Sequence, residues 1–123
     1  KNITFTKFIE KNIKINFNEI ELYRIIDNNL SNAIKYSKEN SNITVILKIV
    51  DEDLKLTFKD EGVGIKDTSS IFKRYYRGDK ITGGFGIGLS IVKNICDKND
   101  IKIEVISKVQ EGTTFIYSFG KIF

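Results

Sequence analysis

The spacing of apolar residues along the chain changes between two and 3.6 residues, and this alternation limits the folds that the sequence can adopt. Apolar residues recur at helical spacing over residues 19–37 and 89–98. Asn18 and Glu21 form a capping-box pattern at the start of the first helix. Period-2 alternation or β-branched residues predict strands at 42–50, 54–60, 101–107 and 113–119.

The remaining segments complete the predicted order of elements. Residues 3–17 alternate irregularly and predict one or two strands, of which "IKINF" at 13–17 has the clearest pattern. Polar turns at 51–53 and 110–112 close two hairpins, and residues 66–83 are mostly loop. The order β-α-β-β-loop-α-β-β predicts an α+β two-layer sandwich. We expect one domain over residues 1–123.

Composition excludes several classes of site. The chain has 123 residues, one cysteine and no histidine, so an intramolecular disulfide and a Cys/His zinc site are excluded. Cys96 is expected to be a small core residue on a helix. The net charge of +4 comes from lysines scattered among acidic residues, which predicts no nucleic-acid partner. With no methionine and no membrane-length apolar run, the sequence is expected to be a piece of a longer protein.

Three polar motifs are candidates for chemistry. Asn28 and Asn32 share a helix face, although Asn28, Asn29 and Asn32 could all be ordinary solvent-facing residues. "DEGVGI" at 60–65 ends a strand, where its carboxylate can accept a hydrogen bond from an exocyclic amine and its glycines let a base approach, although it could be a decorated turn. "GGFGIGLS" at 83–90 precedes a helix and can present N–H groups to phosphates.

Two familiar nucleotide motifs do not fit the glycine-rich segment. Ile91 stands where the last glycine of G-x-G-x-x-G should be, and no Gly-Lys-Ser/Thr follows. The dinucleotide-binding and P-loop interpretations are therefore excluded.

Five motifs in order resemble those of sensor histidine kinase ATP-binding domains. They are "NNLSNAIKYS", "DEGVGI", "IFKRYYRG", "GGFGIGLSIVKNI" and "EGTTF", which look like the N, G1, F and G2 boxes and the final Gly-Thr motif. The resemblance covers residues 13–119. It implies the Bergerat fold shared with gyrase-type, chaperone and mismatch-repair ATPases, in which a mixed sheet is covered on one face by helices and ATP lies under a lid.

The resemblance assigns roles at the phosphate end of the site. Asn32 would give a side-chain oxygen to Mg²⁺, and Asn28 would line the same phosphate site. Lys35 and Arg77 are the catalytic candidates, because each would place a positive charge near the transferred phosphoryl group.

The resemblance also assigns the base end and the lid. Tyr36 would pack on the nucleoside, Asp60 would accept the adenine amine proton, and Thr113, with Thr114 as the alternative, would support the base directly or through water. Ile71 and Phe72 would dock the lid on the core. The other nucleotide contacts would come from Gly62, Gly64, Ile65, Tyr76, Gly84, Phe85, Gly86, Ile87, Gly88 and Leu89.

The lid departs from the family pattern at two points. Only five residues, 78–82, separate Arg77 from Gly83, so we expect weak nucleotide binding and a lid that is mobile when empty. Phe85 stands where threonine is common, and it could pack on the core or cover the nucleotide.

The resemblance implies transfer of the γ-phosphoryl group of ATP to a histidine on a separate dimerisation domain. Because the chain has no histidine, it cannot phosphorylate itself by that chemistry. Asn28 stands where related ATPases and serine kinases carry a glutamate base, so we expect ATPase activity near background. The alternatives are a Bergerat-type serine kinase or ATPase, or an interaction module that no longer binds nucleotide.

The resemblance extends to partners and location. The implied partners are the phosphoacceptor domain of the same protein and a downstream response regulator. The fragment is expected to be a monomer, and the full protein a homodimer. This domain would be the cytoplasmic part of a membrane-anchored bacterial sensor kinase.

Overall fold

The computed structural model of the chain describes residues 2–72 and 88–123. Its elements follow the predicted order. They are β1 (Ile3–Ile9), α1 (Glu19–Tyr36), β2 (Ser41–Val50), β3 (Asp53–Asp60), a short 3₁₀ helix (Thr68–Ser70), α2 (Gly88–Lys98), β4 (Lys102–Lys108) and β5 (Gly112–Ser118).

The five strands form one mixed sheet in the order β1-β2-β3-β5-β4. β1 runs parallel to β2, with α1 as the connection between them, and the other neighbours are antiparallel. In the register of the sheet, Asp60 at the end of β3 is opposite Thr113 at the start of β5. Two predicted site residues on different hairpins are therefore neighbours.

Local sequence signals explain where α1 and the first hairpin begin and end. The Asn18 side chain accepts a hydrogen bond of 2.9 Å from the Glu21 backbone N–H, and Ser37 ends the helix in an extended conformation. Asp51 and Glu52 both have positive φ, which suits a two-residue turn. The first helix and hairpin are thus confirmed, with the turn one residue shorter than predicted.

The core lies between the helices and one face of the sheet. Alternate residues of β3 and β5 are buried, as period-2 burial requires for a sheet with one covered face. Burying such a side chain completely contributes about 1.5–3 kcal/mol. The main buried side chains are Ile25 of α1, Leu54, Leu56 and Phe58 of β3, Leu89, Val92, Ile95 and Cys96 of α2, and Phe115 and Tyr117 of β5.

The start of the chain differs from the sequence prediction. The strand is β1 at Ile3–Ile9, whereas residues 13–17 are not a strand. Ile13, Ile15 and Phe17 are half-buried and pack against the core, and the Phe17 ring meets Phe119 edge-on at 5.4 Å between centroids. The alternation of apolar and polar residues at 13–17 therefore reflects the burial of one side of an extended segment that is not paired as a strand. β1 is an edge strand, and its weak pattern follows from its exposed side chains.

Two further predictions about the core are confirmed. Ile71 is buried, and the Phe72 ring contacts Phe115 edge-on at 6.3 Å between centroids, so both residues pack on the core as predicted. Cys96 is buried in the core, and this desolvation raises the pKa of its thiol to about 12. Within residues 2–72 and 88–123, no helix has the length and apolar character needed to cross a membrane.

Candidate nucleotide site

The N-terminus of α2 approaches the polar face of α1 at two predicted site residues, Asn28 and Gly88. Asn28 Nδ2 donates to the Arg24 carbonyl at 2.8 Å, which fixes the side chain along its own helix. A Cβ atom at Gly88 would lie closer than 3.0 Å to Asn28 Oδ1. A side chain at position 88 would therefore displace the Asn28 amide.

Asn32 lies one turn after Asn28 on the same helix, and the fold leaves part of its amide unused. Its Nδ2 atom is buried and has no hydrogen-bond partner among the described residues. An unsatisfied buried polar atom costs about 1–3 kcal/mol, so its retention calls for an explanation such as a ligand. Asn32 is thus available for an external partner.

Asn29, between these two residues, has a structural role that the sequence analysis missed. It is buried, its Nδ2 donates to the Ile25 carbonyl at 2.8 Å, and its Oδ1 accepts a hydrogen bond of 3.0 Å from the Tyr117 hydroxyl. Burial raises the pKa of Tyr117, so the phenol stays protonated as the donor. The available signal was its position four residues after Ile25 and four before Ala33, in the buried stripe of the helix.

The Asp60 carboxylate is fixed at the end of β3 by two backbone groups. Oδ1 accepts hydrogen bonds from the N–H of Gly62 at 2.9 Å and of Thr113 at 3.2 Å. Burial raises the pKa of Asp60, and these two hydrogen bonds act in the opposite direction. Both hydrogen bonds from the described residues end on Oδ1, so Oδ2 is available for another donor.

The segment 60–65 runs between the end of α1 and the β4–β5 hairpin. The Val63 N–H donates to the Tyr36 carbonyl at 3.2 Å, and the Gln110 N–H donates to the Val63 carbonyl at 2.7 Å. Cβ atoms at Gly62 and Gly64 would come closer than 3.0 Å to the carbonyl oxygens of Tyr36 and Lys108, respectively. In this structure, glycine is required at both positions because neighbouring backbone packs against them. The sequence prediction instead explained these glycines by the close approach of a base.

Thr113 lies on the core face of β5 with Phe115 and Tyr117, and Thr114 lies on the opposite face. The Thr113 hydroxyl is 2.8 Å from Ser107 Oγ on β4. The structure therefore places Thr113, the first choice of the two threonines, beside the Asp60 carboxylate on the covered side of the sheet.

Ser107 is a second residue that the sequence analysis missed. Its Oγ accepts a hydrogen bond of 2.7 Å from the Ile65 N–H and donates to the Gly112 carbonyl at 3.1 Å. Ser107 continues the inward alternation of Ile103 and Val105 on β4, so period-2 spacing was the signal that could have found it. It connects the 60–65 segment to both strands of the second hairpin.

Lys35 and Tyr36 end α1, at the boundary between the site and the edge of the sheet. Lys35 Nζ lies 5.3 Å from the centroid of the Tyr36 ring, which is a cation–π distance. Lys35 also lines a cleft of about 450 Å³ with Ile3, Phe5 and Ile34. Lys35 therefore borders residues of β1 as well as the Tyr36 ring.

The other predicted site residues divide into those in the core and those outside the described part. Ile65 is half-buried against the core, and Leu89 is 1% exposed within it. Residues 73–87 lie outside the described residues. The predictions for Tyr76, Arg77, Gly84, Phe85, Gly86, Ile87 and the short lid fall there.

The oxygen donors of the site suit a metal ion that keeps most of its ligands from solvent and phosphate. The part of the chain that the structure describes has no group of three or more His, Cys, Asp or Glu side chains that could hold one. Mg²⁺ commonly uses one or two protein oxygens and takes its remaining ligands from water and phosphate. Asn32 carries one amide oxygen, the kind of ligand that this mode needs, while its buried Nδ2 is a donor that would face phosphate or water and not the metal.

Three kinds of comparison with known proteins agree with this geometry. Residues 17–121 match the family model described as histidine kinase-, DNA gyrase B- and HSP90-like ATPase. The sensor histidine kinase WalK of Bacillus subtilis is 32% identical over 117 residues, which cover 89% of this chain and 19% of that protein. The histidine-protein kinase ArlS of Staphylococcus epidermidis is 36% identical over 113 residues, which cover 87% of this chain and 24% of that protein.

Solved structures show the same fold. The mycobacterial sensor histidine kinase MprB superposes with a TM-score of 0.83 at 26% identity, covering 98% of this chain and 84% of that one. Full-length ShkA in complex with AMPPNP gives 0.78 at 21% identity, covering 97% of this chain and 25% of that one. The chain spans about a fifth to a quarter of the length of the curated relatives WalK and ArlS. It belongs to the histidine kinase-, DNA gyrase B- and HSP90-like ATPase family, and its curated relatives are sensor histidine kinases.

Proposed function

We propose that this chain binds Mg-ATP and donates the γ-phosphoryl group to a histidine on a separate dimerisation segment of a sensor kinase. The observation that carries the proposal is the Asp60 carboxylate. Burial raises its pKa, the described residues bond only to its Oδ1, and its Oδ2 is available to a ligand. A fold keeps such a group at a cost in stability, which is typical of a binding site.

The base of the nucleotide would lie at this carboxylate. The adenine amino group would donate to Asp60 Oδ2, and Thr113 would support the same edge of the base directly or through water. Gly64 and Ile65 would border the ring, and Tyr36 would pack on the nucleoside side. AMPPNP, an ATP analogue, is bound in the ShkA structure, whose fold this chain shares.

The phosphates would lie along the polar face of α1. Asn32 would give its amide oxygen to Mg²⁺, and Asn28 would line the same site. When bound, the metal neutralises phosphate charge as the phosphoryl group is transferred. The glycines before α2, with the N-terminus of that helix, would present N–H groups to phosphate oxygens.

Lys35 and Arg77 are the proposed catalytic cations. Lys35 would leave the Tyr36 ring and turn towards the phosphates by a change of rotamer, since its side chain is exposed and has four rotatable bonds. Arg77 in the lid would reach the γ-phosphate as charge develops on it.

Residue 28 favours a histidine acceptor over water. An imidazole nitrogen is already nucleophilic, so it can attack the γ-phosphorus while ADP leaves, without a protein base. Water or a serine hydroxyl needs a base, and the Asn28 amide cannot accept a proton in that role. Its Nδ2 is also engaged with the Arg24 carbonyl. Hydrolysis or serine transfer is therefore the weaker function for this chain.

The experiment is phosphorylation in trans. The chain is mixed with labelled ATP, Mg²⁺ and the phosphoacceptor segment encoded upstream in its own gene. Acid-labile label on that segment, lost when its histidine is replaced, is the expected result. Acid-stable label would point to serine transfer, and steady Mg²⁺-dependent hydrolysis abolished by Asn32→Ala would point to an ATPase.

The family context carries the proposal to the whole protein. Because the curated relatives are sensor kinases, we infer a homodimer formed through its phosphoacceptor helices, with a response regulator as the downstream partner. This domain would lie in the cytoplasm, where ATP is available, beneath a membrane-anchored sensor.

A further inference from the structure

We propose that Ser107 is a positioning residue that fixes the hydroxyl proton of Thr113. The side chains of Asp60 and Thr113, which we call the base-binding wall, then present only hydrogen-bond acceptors to the base. This inference rests on the proposed nucleotide function and deepens it. It assigns to Ser107 the discrimination between a base with an amino group and one with a carbonyl group at the same position.

Ser107 Oγ makes three polar contacts. The Ile65 N–H can only donate to it, and the Gly112 carbonyl can only accept from it. The third contact, with Thr113 Oγ1 at 2.8 Å, can be made by either hydroxyl proton. Ser107 has a single proton, so these three contacts are coupled.

One arrangement makes all three contacts hydrogen bonds. Ser107 gives its proton to the Gly112 carbonyl and accepts from both the Ile65 N–H and the Thr113 hydroxyl. If Ser107 instead donated to Thr113, its contact with the Gly112 carbonyl would pair two oxygen atoms without a proton. Since two oxygen atoms 3.1 Å apart with no proton between them repel each other, the first arrangement is favoured.

The consequence appears at the base-binding wall. The Thr113 proton points to Ser107, so Thr113 Oγ1 offers only lone pairs to a ligand. The same is true of Asp60, whose carboxylate receives the Thr113 backbone N–H on Oδ1. Two adjacent acceptors suit the amino group of adenine, which has two N–H donors, and repel the carbonyl group of hypoxanthine or guanine.

Loss of Ser107 should therefore weaken discrimination between bases. In Ser107→Ala the Thr113 hydroxyl is free to rotate and can donate to a carbonyl group. The test measures the dissociation constants of ATP and inosine triphosphate for the chain. We expect the ratio of the inosine triphosphate constant to the ATP constant to fall by about threefold to tenfold, the value of one net hydrogen bond.

Matched variants separate this role from a merely structural one. Ser107→Thr keeps a hydroxyl and should keep the wild-type ratio. In the Thr113→Val background no hydroxyl can rotate, so Ser107→Ala should leave the ratio unchanged. General loosening of the site would lower both affinities together and would not move the ratio. A folded Ser107→Ala variant with an unaltered ratio would overturn the inference.

A second measurement covers the case in which Ser107→Ala does not fold. In the wild type, NMR should detect a slowly exchanging Thr113 hydroxyl proton with a cross-peak to the Ser107 β-protons. A Thr113 hydroxyl proton in fast exchange with water would contradict the assignment. If the wild-type chain bound neither nucleotide, the proposed function and this inference would both be wrong. ATP binding with an unaltered ratio would remove this inference alone.

Discussion

The Tyr117 hydroxyl donates a hydrogen bond of 3.0 Å to Asn29 Oδ1 and so joins the last strand to the first helix inside the core. Tyr117→Phe leaves the Asn29 amide oxygen buried without this donor, so we expect a loss of about 1–3 kcal/mol in the free energy of unfolding. Asn29→Leu paired with Tyr117→Phe should recover most of that loss, because both polar partners are then replaced by apolar groups. Chemical denaturation of the wild type, the two single variants and the double variant measures the coupling energy between Asn29 and Tyr117. Additive effects of the two substitutions on the free energy of unfolding would contradict this coupling.

Asp60 should illustrate a conflict between stability and binding. Asp60→Asn keeps an oxygen for the N–H groups of Gly62 and Thr113 but replaces Oδ2 with a donor. We expect nucleotide affinity to fall by about tenfold to a hundredfold, the value of a hydrogen bond to a charged group. Without nucleotide, the variant should melt at a higher temperature at pH 7, since the buried carboxylate no longer has to be desolvated.

The pH dependence of that stability difference follows from the direction of the pKa shift. Burial raises the pKa of Asp60, so the folded state binds the proton more readily than the unfolded state. The free-energy cost of burying the ionised Asp60 carboxylate is present at pH values above its pKa in the folded state. This cost disappears as the pH falls below its pKa in the unfolded state. Thermal melts from pH 7 down to pH 3 should therefore converge for wild type and Asp60→Asn. A gap that widened towards acid would refute the explanation.

Cys96 should be chemically silent in the folded chain. It is fully buried, and its pKa is raised to about 12, so almost no thiolate exists near pH 8. A thiol reagent at pH 8 should label almost no thiol in the native chain. In denaturant it should label one thiol per chain. Because the chain has one cysteine, the labelled fraction reports unfolding directly. Rapid labelling under native conditions would show that α2 is not packed as described.

Two glycine substitutions should separate a structural role from a site role. Gly62→Ala would force a Cβ onto the Tyr36 backbone carbonyl, which cannot move easily, so we expect a loss of about 1–3 kcal/mol. Among the described residues, Gly88→Ala meets only the Asn28 side chain, and it adds a good helix former, so its cost in stability should be smaller. Its effect should appear as weaker nucleotide binding through the displaced amide. Equal losses of stability in the two variants would contradict this distinction.

Much of the fold could be predicted because each element carries its own periodicity and turn residues. Helix α1 has a capping residue and an apolar stripe, and both hairpins have polar turns between alternating segments. The strand predicted at 13–17 was wrong, because alternation reports burial of one side and does not report hydrogen bonding to a neighbour. Strand pairing is a long-range property that local spacing does not encode.

The individual residues of the candidate site were easier to predict from the sequence than the contacts between them. The proximity of Asp60 and Thr113 follows from the pairing of β3 with β5, which the order of strands along the chain does not determine. Asn29 was considered with its solvent-facing neighbours, although a shift of one residue around the helix takes it into the core. Ser107 belonged to no motif, and its role appears only when three segments meet at its hydroxyl.

The most direct test of the central claim is a calorimetric titration of the 123-residue chain with a non-hydrolysable ATP analogue, with and without Mg²⁺. Wild type should bind more tightly with the metal. Asn32→Ala should lose that metal-dependent gain without loss of apo stability, because no described residue forms a hydrogen bond with the buried Nδ2. Asp60→Asn should bind weakly in both conditions. No heat of binding to the wild type at millimolar analogue and Mg²⁺ would contradict the account and favour a domain that no longer binds nucleotide.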